Sequence, residues 1–160
     1  MVYLFLSDGF EECEAFSPLD ILRRSNIEVK TVGIGEQFVK GAHNITVKAD
    51  LTEAEVELNE ELVGVILPGG MPGTINLENS SLVLQAVNYA YKQNKLVCAI
   101  CAAPKILGNA EILKGKKATC FPGFEEQLVD ACVLGESVVV DGNIITAKGA
   151  GVTIDFAYEI

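Results

Sequence analysis

Short, uninterrupted apolar segments constrain the fold of this chain more than any other feature of its sequence. Residues 2–6, 62–67 and 96–100 are almost entirely aliphatic or aromatic, and small or polar residues follow each of them. These segments lack the alternation of polar and apolar residues that marks a strand with one face in water. They are typical of strands that are covered on both faces.

Amphipathic segments lie between the predicted strands. Residues 80–94 place small apolar side chains on one helical face, and residues 11–25 and 102–109 carry a similar pattern. Pro18 predicts that the first of these helices starts late or is kinked, because proline cannot donate a hydrogen bond inside a helix. Alternating strands and helices predict an open, doubly wound α/β fold in which helices cover a mostly parallel sheet.

Two hairpins complete the predicted fold. Residues 38–40 and 45–48 flank a four-residue turn that contains His43, the only histidine. Residues 138–140 and 144–146 flank an Asp-Gly-Asn turn, which strongly favours a hairpin.

The length of 160 residues suits one domain that covers residues 1–160. A last helix is predicted over residues 153–160, and eight helical residues reach only about 12 Å. A sheet of this size usually has a longer covering helix. We therefore expect that the C-terminal helix is truncated relative to the natural form of the protein.

Composition excludes several classes of function. The chain carries 12 Lys and Arg against 22 Asp and Glu, a net charge of −10. Such a surface repels nucleic acid and anionic lipid, so binding to either through overall charge is not expected. No apolar run is long enough for a membrane span. Five cysteines, an odd number without a secretion signal, predict reduced thiols and a cytoplasmic protein.

Cys101 is the candidate reactive residue. A buried strand runs directly into it, small residues follow, and Pro104 occupies an early helical position. This is the pattern of a nucleophile elbow, which lifts a side chain to the carboxyl edge of the sheet. Free amides and the helix dipole there predict a lowered thiol pKa. The alternative, a small thiol that merely packs, stays open at this point.

Cys98 forms a C-x-x-C pattern with Cys101, but it lies within the predicted strand. A redox pair normally has its first cysteine at a helix start, so core packing is the favoured interpretation of Cys98. A zinc site is not predicted, because the chain offers one such cysteine pair and a single histidine.

Two further segments are predicted to reach the same edge of the sheet. Residues 68–73 are rich in glycine, so the Gly70 amide can approach a ligand closely and act with the Ala102 amide as an oxyanion hole. A plain turn is the alternative. Residues 11–14 offer three carboxylates, and most such groups at a helix start are simply solvated.

These segments together resemble the ThiJ/PfpI superfamily, specifically the subgroup of the parkinsonism-associated protein deglycase and its bacterial YajL-type relatives. The resemblance covers nearly the whole chain. It rests on residues 8–14, 18–24, 67–70, 99–104 and 145–149.

The resemblance implies a flavodoxin-like fold, similar to class I glutamine amidotransferases, and a homodimer that needs no cofactor. It assigns the reactive thiol to Cys101 and the carboxyl that hydrogen-bonds its sulfur to Glu14. It also implies that the amides of Gly70 and Ala102 face a substrate oxygen. A carboxyl held close to a thiolate and away from water has a raised pKa, so it can hold and move a proton.

Two departures from the family pattern bear on mechanism. Phe121, before Pro122, stands where relatives often have a histidine, and Ala102 stands where the protease-like branch has one. A Cys-His dyad is therefore missing from these positions, which disfavours peptidase activity. A glutaminase-like domain is disfavoured for a similar reason, since no His-Glu pair follows the elbow. His43, where a relative carries an arginine, is predicted to be a surface loop residue.

Two functional hypotheses follow. In the first, the protein is a glyoxalase- or deglycase-like enzyme that acts on small dicarbonyls or glycation adducts through Cys101 and Glu14. In the second, it is a redox sensor or oxidative-stress chaperone, and oxidation of Cys101 is the signal.

Overall fold

The computed structural model describes residues 1–160, with a mixed sheet at the centre. The strands are β1 (Val2–Leu6), β2 (Val29–Gly33), β3 (Phe38–Lys40), β4 (Thr46–Lys48), β5 (Leu51–Thr52), β6 (Gly64–Leu67), β7 (Leu96–Ile100), β8 (Lys117–Ala118), β9 (Cys132–Val133), β10 (Val138–Asp141) and β11 (Ile144–Ala147). Seven of them form the central sheet in the order β10-β11-β7-β6-β1-β2-β5, while β3–β4 and β8–β9 form two small separate sheets.

The sheet is parallel except at one edge. Only β10 runs antiparallel to its neighbour β11, to which a tight turn connects it. All other neighbours in the sheet pair in parallel. The predicted flavodoxin-like fold with a mostly parallel sheet is confirmed, and so are both predicted hairpins.

Five α-helices cover the sheet. They are α1 (Glu12–Arg24), α2 (Gly73–Asn79), α3 (Ser81–Lys92), α4 (Pro104–Asn109) and α5 (Thr153–Glu159). The Ser80 side chain caps α3 by accepting a hydrogen bond from the Val83 amide at 3.3 Å, which explains why that helix starts there. No helix has both the length and the apolar character that crossing a membrane requires.

Alternate residues of each strand enter opposite halves of the core. In β1, Tyr3 and Phe5 pack with side chains from α2, α3 and α4. Val2, Leu4 and Leu6 pack on the other face with side chains from α1 and α5. All five side chains are buried, because both faces of a parallel sheet are covered by helices. This coverage explains why polar and apolar residues do not alternate along these strands.

Two details differ from the sequence prediction. Helix α1 begins at Glu12 and continues past Pro18 to Arg24, so the predicted late start is wrong. The packing of its apolar face against the sheet stabilises the helix despite the missing donor. Helix α2 was not predicted, because its sequence follows a proline- and glycine-rich turn that favours a loop.

The strand order also determines where a site can form. The chain leaves β1 toward β2 on one side, and later returns to β6 on the opposite side of β1. Connections on opposite sides of β1 open a crevice at the carboxyl ends of the strands. The segments that follow β1, β6 and β7 meet at this crevice.

Truncation of a core side chain tests this packing. Ile66 lies on the central strand β6 and is fully buried against α1 and α5. We expect Ile66→Ala to lower the free energy of unfolding by about 2–5 kcal/mol, since the change removes buried methylenes and leaves a cavity. Urea denaturation gives the value. Val140→Ala, at the exposed edge strand β10, is the control and should change it by less than about 0.5 kcal/mol. Equal effects of the two changes would contradict the core described above.

Candidate functional site

Cys101 occupies a sharp turn between β7 and α4. Its backbone is in the left-handed region, with φ of 65°. Its amide donates to the carbonyl of Ala147 at 2.9 Å, and its carbonyl accepts from the amide of Phe121 at 2.8 Å. These bonds to β11 and to the segment after β8 hold the strained conformation. The thiol is partly exposed, so the structure places it at a nucleophile elbow.

Glu14 lies in the first turn of α1, and its carboxyl group reaches the elbow from the neighbouring segment. The side chain is 1% exposed. Its Oε2 accepts a hydrogen bond from the Gly69 amide at 2.9 Å, and the Cys101 thiol lies within hydrogen-bonding reach of the same carboxyl group. The structure thus brings together two residues that are 87 positions apart in the sequence.

Two glycines border this contact, and Gly69 leaves the room that it requires. A Cβ atom on Gly69 would lie 2.6 Å from Glu14 Oε2 and 2.7 Å from Cys101 Cβ, both closer than atoms tolerate. A Cβ atom on Gly149 would lie 3.7 Å from Glu14 Oε1 and 3.8 Å from Cys101 Sγ. The carboxyl and the thiol therefore lie between two backbone segments that approach them closely. The sequence assigns Gly149 no role of its own, because its contact with the thiol arises only when β11 lies beside β7.

Burial governs the protonation of Glu14. Removal from water raises the pKa of its carboxyl from 4.5 to about 7, and the nearby charge of Glu11 adds to the increase. Hydrogen bonds from Cys101 and from the Gly69 amide act in the opposite direction but are outweighed. The predicted rise of this pKa is confirmed. Glu14 therefore changes its protonation state near neutral pH.

The predicted lowering of the Cys101 thiol pKa is wrong. Burial, followed by the negative charge of Glu14, raises the pKa of this thiol to about 12 while Glu14 is ionised. The Ala102 amide lowers it, but by less. Helix α4 contributes little, because it is six residues long and begins only at Pro104. The prediction rested on the residues around Cys101 in the sequence, and these do not show that a carboxylate from α1 lies beside the thiol.

The two groups are therefore a coupled pair that shares a proton. When Glu14 is protonated, its charge disappears and its O–H becomes a donor to the sulfur, which favours the thiolate. A proton on the oxygen and a proton on the sulfur are alternatives with the same net charge. The state with one shared proton forms as pH rises through about 7. In this state the proton lies either on Glu14, which leaves Cys101 as a thiolate, or on Cys101, which leaves Glu14 as a carboxylate that can act as a base for the thiol.

The two predicted oxyanion-hole amides belong to the residues that directly follow Gly69 and Cys101 in the sequence. Neither the Gly70 nor the Ala102 amide donates to a backbone carbonyl, and the Ala102 amide points to the Cys101 sulfur. Gly70 has φ of 92°, and a Cβ atom there would lie 2.5 Å from the Glu11 nitrogen, so only glycine fits. The role of both amides stays a prediction.

The other cysteines have different surroundings. Cys98 is fully buried in the core face under α1 and α5, where burial raises the pKa of its thiol, as its predicted packing role requires. Burial also raises the pKa of Cys120 to about 11. Cys13 and Cys132 are exposed, and none of the five is in a disulfide. Only Cys101 combines partial exposure with a carboxyl neighbour.

A second polar cluster lies beside the start of α1. His43 is in the β3–β4 turn with its side chain 68% exposed, as predicted, and its Nδ1 lies 2.8 Å from Glu12 Oε2. Its amide also donates to Glu12 Oε1 at 2.7 Å. This contact raises the pKa of His43 and overcomes the effect of burial to lower that of Glu12. Together with Glu11 these groups are spaced closely enough to bind one ion, and the ion pair alone accounts for their arrangement.

Fold and site together define a class: an α/β protein with a cysteine on a strand-to-helix elbow and a buried glutamate as its partner. The model of the DJ-1/PfpI family matches residues 1–160. The chain belongs to the DJ-1/PfpI family.

Individual relatives agree with this assignment. Protein dj-1beta of Drosophila melanogaster is 35% identical over 98% of this chain and 85% of its own length. Deglycase PfpI of Pyrococcus furiosus is 33% identical over 94% of this chain and 92% of its own. The solved structure of oxidized Toxoplasma gondii DJ-1 superposes with a TM-score of 0.93 at 32% identity, over 99% of this chain and 86% of that one.

The shared proton predicts how alkylation of Cys101 depends on pH. We expect its rate with iodoacetamide to rise about tenfold between about pH 6 and pH 8, because Glu14 loses its proton near pH 7 and the pair becomes reactive. In Glu14→Gln the rise of the alkylation rate should no longer occur near pH 7, because the group that loses its proton there has been removed. Peptide mass spectrometry follows the modification of Cys101 alone.

The control for this experiment is Glu28→Gln, which removes a carboxyl from an exposed ion pair on the surface. It should retain the wild-type pH profile. An inflection near pH 7 that survives in Glu14→Gln would show that another group controls the thiol.

Proposed function

We propose that this protein converts small 2-oxoaldehydes into 2-hydroxy acids through a covalent intermediate on Cys101, without a cofactor. The first step is addition of the Cys101 thiol to the aldehyde. A bond forms between sulfur and the aldehyde carbon, the C=O double bond becomes a single bond, and the proton of the pair moves to the oxygen. The product of this step is a hemithioacetal.

Glu14 performs the second step in this proposal. Its carboxylate removes the C–H proton from the former aldehyde carbon, which gives an enediol, and returns that proton to the adjacent carbon. The hydroxyl proton of the hemithioacetal moves to the oxygen of the second carbonyl, so that the first oxygen becomes the thioester C=O and the second becomes a hydroxyl. The result is a thioester of a 2-hydroxy acid, which water hydrolyses to release the acid and regenerate the thiol. A carboxyl with a pKa of about 7 suits both roles, since it gains and loses a proton near neutral pH.

The amides of Gly70 and Ala102 complete the proposed machinery. Negative charge develops on a substrate oxygen during both proton transfers. Neither amide would have to give up a backbone carbonyl to donate to that oxygen, and positioned donors of this kind are the main source of stabilisation in oxyanion holes. Early adducts of dicarbonyls with amines or thiols would give the same hemithioacetal once the bond from the former aldehyde carbon to the amine or thiol breaks, that group leaves in its protonated form, and Cys101 sulfur takes its place.

The observation that carries this proposal is the contact between a partly exposed thiol and a buried carboxyl with a near-neutral pKa. Two relatives, from Pyrococcus furiosus and Pyrococcus abyssi, bear the name deglycase, which is consistent with it. A homodimer remains a prediction from the family resemblance.

Turnover of methylglyoxal tests the proposal. We expect the purified protein to form lactate without added thiol, because Cys101 supplies the sulfur. Cys101→Ser should reduce kcat/KM at least about 1000-fold, and Glu14→Gln by about 100- to 1000-fold, since each change removes a group that bonds to or moves atoms of the substrate. Cys132→Ser, at an exposed thiol on β9, is the control and should keep full activity. Full activity in Cys101→Ser would end the proposal.

A second candidate function is that of an oxidation sensor or oxidative-stress chaperone. The same contact favours it: a protonated Glu14 would donate a hydrogen bond to an oxygen on sulfur, and the Ala102 amide would donate another. Stepwise oxidation by two molecules of peroxide gives a sulfinate, and two molecules of water are released. The related Toxoplasma gondii structure is that of an oxidized DJ-1, which is consistent with this candidate.

Mild peroxide treatment distinguishes this second candidate. Mass spectrometry should find two added oxygens on Cys101 while the exposed Cys13 and Cys132 stay largely unmodified. Glu14→Ala should reduce this selectivity, because it removes the donor to the sulfinate. Uniform modification of all accessible thiols would contradict a sensor role for Cys101.

A further inference from the structure

An apolar cleft adjoins the coupled pair of Cys101 and Glu14. Its volume is about 320 Å³. The proposed mechanism uses none of its side chains. The lining consists of Phe121, Pro122 and residues 148–152.

Gly149 connects this cleft to the reactive thiol. The position that a Cβ atom on Gly149 would occupy lies 3.3 Å from the Phe121 ring, 3.8 Å from Cys101 Sγ and 3.7 Å from Glu14 Oε1. The ring, the sulfur and the carboxyl therefore surround one point. A substituent that extends from the sulfur toward this point would meet the Phe121 ring.

Phe121 is available for such a contact. Its side chain is 48% exposed. Its position is fixed, because its amide donates to the carbonyl of Cys101 at 2.8 Å. The backbone of Phe121 is therefore tied to the elbow at Cys101. The ring provides an apolar wall but no proton donor or acceptor.

Charge at the cleft disfavours anionic ligands. Glu14 and Glu11 both place negative charge near the thiol. Lys148 lines the cleft, but its Nζ donates to the carbonyl of Gly135 at 2.6 Å and is held there. A carboxylate next to the reacting carbon would meet repulsion from Glu14 and Glu11, and the ammonium of Lys148, although charged, is directed to the Gly135 carbonyl.

We infer that Phe121 determines the substrate class of this site: carbonyl compounds with an uncharged apolar substituent, which packs on the Phe121 ring beside the carbon that Cys101 attacks. Phenylglyoxal and long-chain alkylglyoxals belong to this class, whereas glyoxal has no substituent and glyoxylate has a charged one. That these compounds are substrates rests on the proposed function. That they are recognised at the site requires only the Cys101 thiol and the cleft.

Alkylation rates test the recognition without turnover. 2-Bromoacetophenone carries a phenyl ring on its reactive carbonyl group, and iodoacetamide is small and polar. We expect the ratio of their rate constants at Cys101 to fall roughly 3- to 10-fold in Phe121→Ala, the size expected for loss of one aromatic contact. Phe121→Leu should retain part of the preference. Phe38→Ala removes a ring that is 64% exposed on β3 and does not line the cleft, so its ratio should equal that of the wild type.

One result would overturn the inference: an unchanged ratio in Phe121→Ala. If both rate constants fall by the same factor, the ratio is also unchanged, and the decrease would indicate damage to the elbow. In turnover assays, Phe121→Ala should lower kcat/KM for phenylglyoxal roughly 3- to 10-fold more than for glyoxal. If no dicarbonyl is turned over at all, the proposed enzymatic function fails. The alkylation ratio still decides whether Phe121 recognises apolar substituents.

Discussion

Burial of one carboxyl group beside one thiol governs the chemistry and part of the stability of this protein. Without water around it, Glu14 keeps its proton up to about pH 7, whereas an exposed glutamate loses it near 4.5. Between these values the folded state binds more protons than the unfolded state, so the free energy of unfolding decreases as pH rises through that interval. Above about pH 7 the fold carries a buried charge. The same deprotonation of the pair that lowers the stability of the fold therefore produces the state in which Cys101 and Glu14 share one proton.

The fold assembles this pair from three separate parts of the chain. Glu14 comes from the helix after β1, Gly69 from the loop after β6 and Cys101 from the turn after β7. Parallel strands place all three segments at the same edge of the sheet, and the change of direction at β1 opens the crevice there. Close approach of these segments requires glycine at position 69, because any side chain would collide with both reacting groups.

Neighbouring polar groups have separate tasks in this arrangement. Glu12, two residues before Glu14, turns its carboxylate to His43 and attaches the β3–β4 turn to the start of α1. Its pKa is lowered while that of Glu14 is raised, although both side chains are buried. The difference lies in the balance between burial and hydrogen bonds: burial outweighs the bonds from Cys101 and the Gly69 amide at Glu14, whereas the contacts with His43 help to overcome the effect of burial at Glu12.

The sequence by itself determined the strand–helix order, the coverage of the sheet on both faces and the elbow at Cys101, because these depend on local patterns of apolar and small residues. The family resemblance singled out Glu14. Only the tertiary structure decided that the carboxyl of Glu14 outweighs the amide of Ala102 at the sulfur, and that Gly149 and Phe121 border the site. Protonation depends on burial and on charges brought together from distant segments. Such distances exist only once the chain has folded.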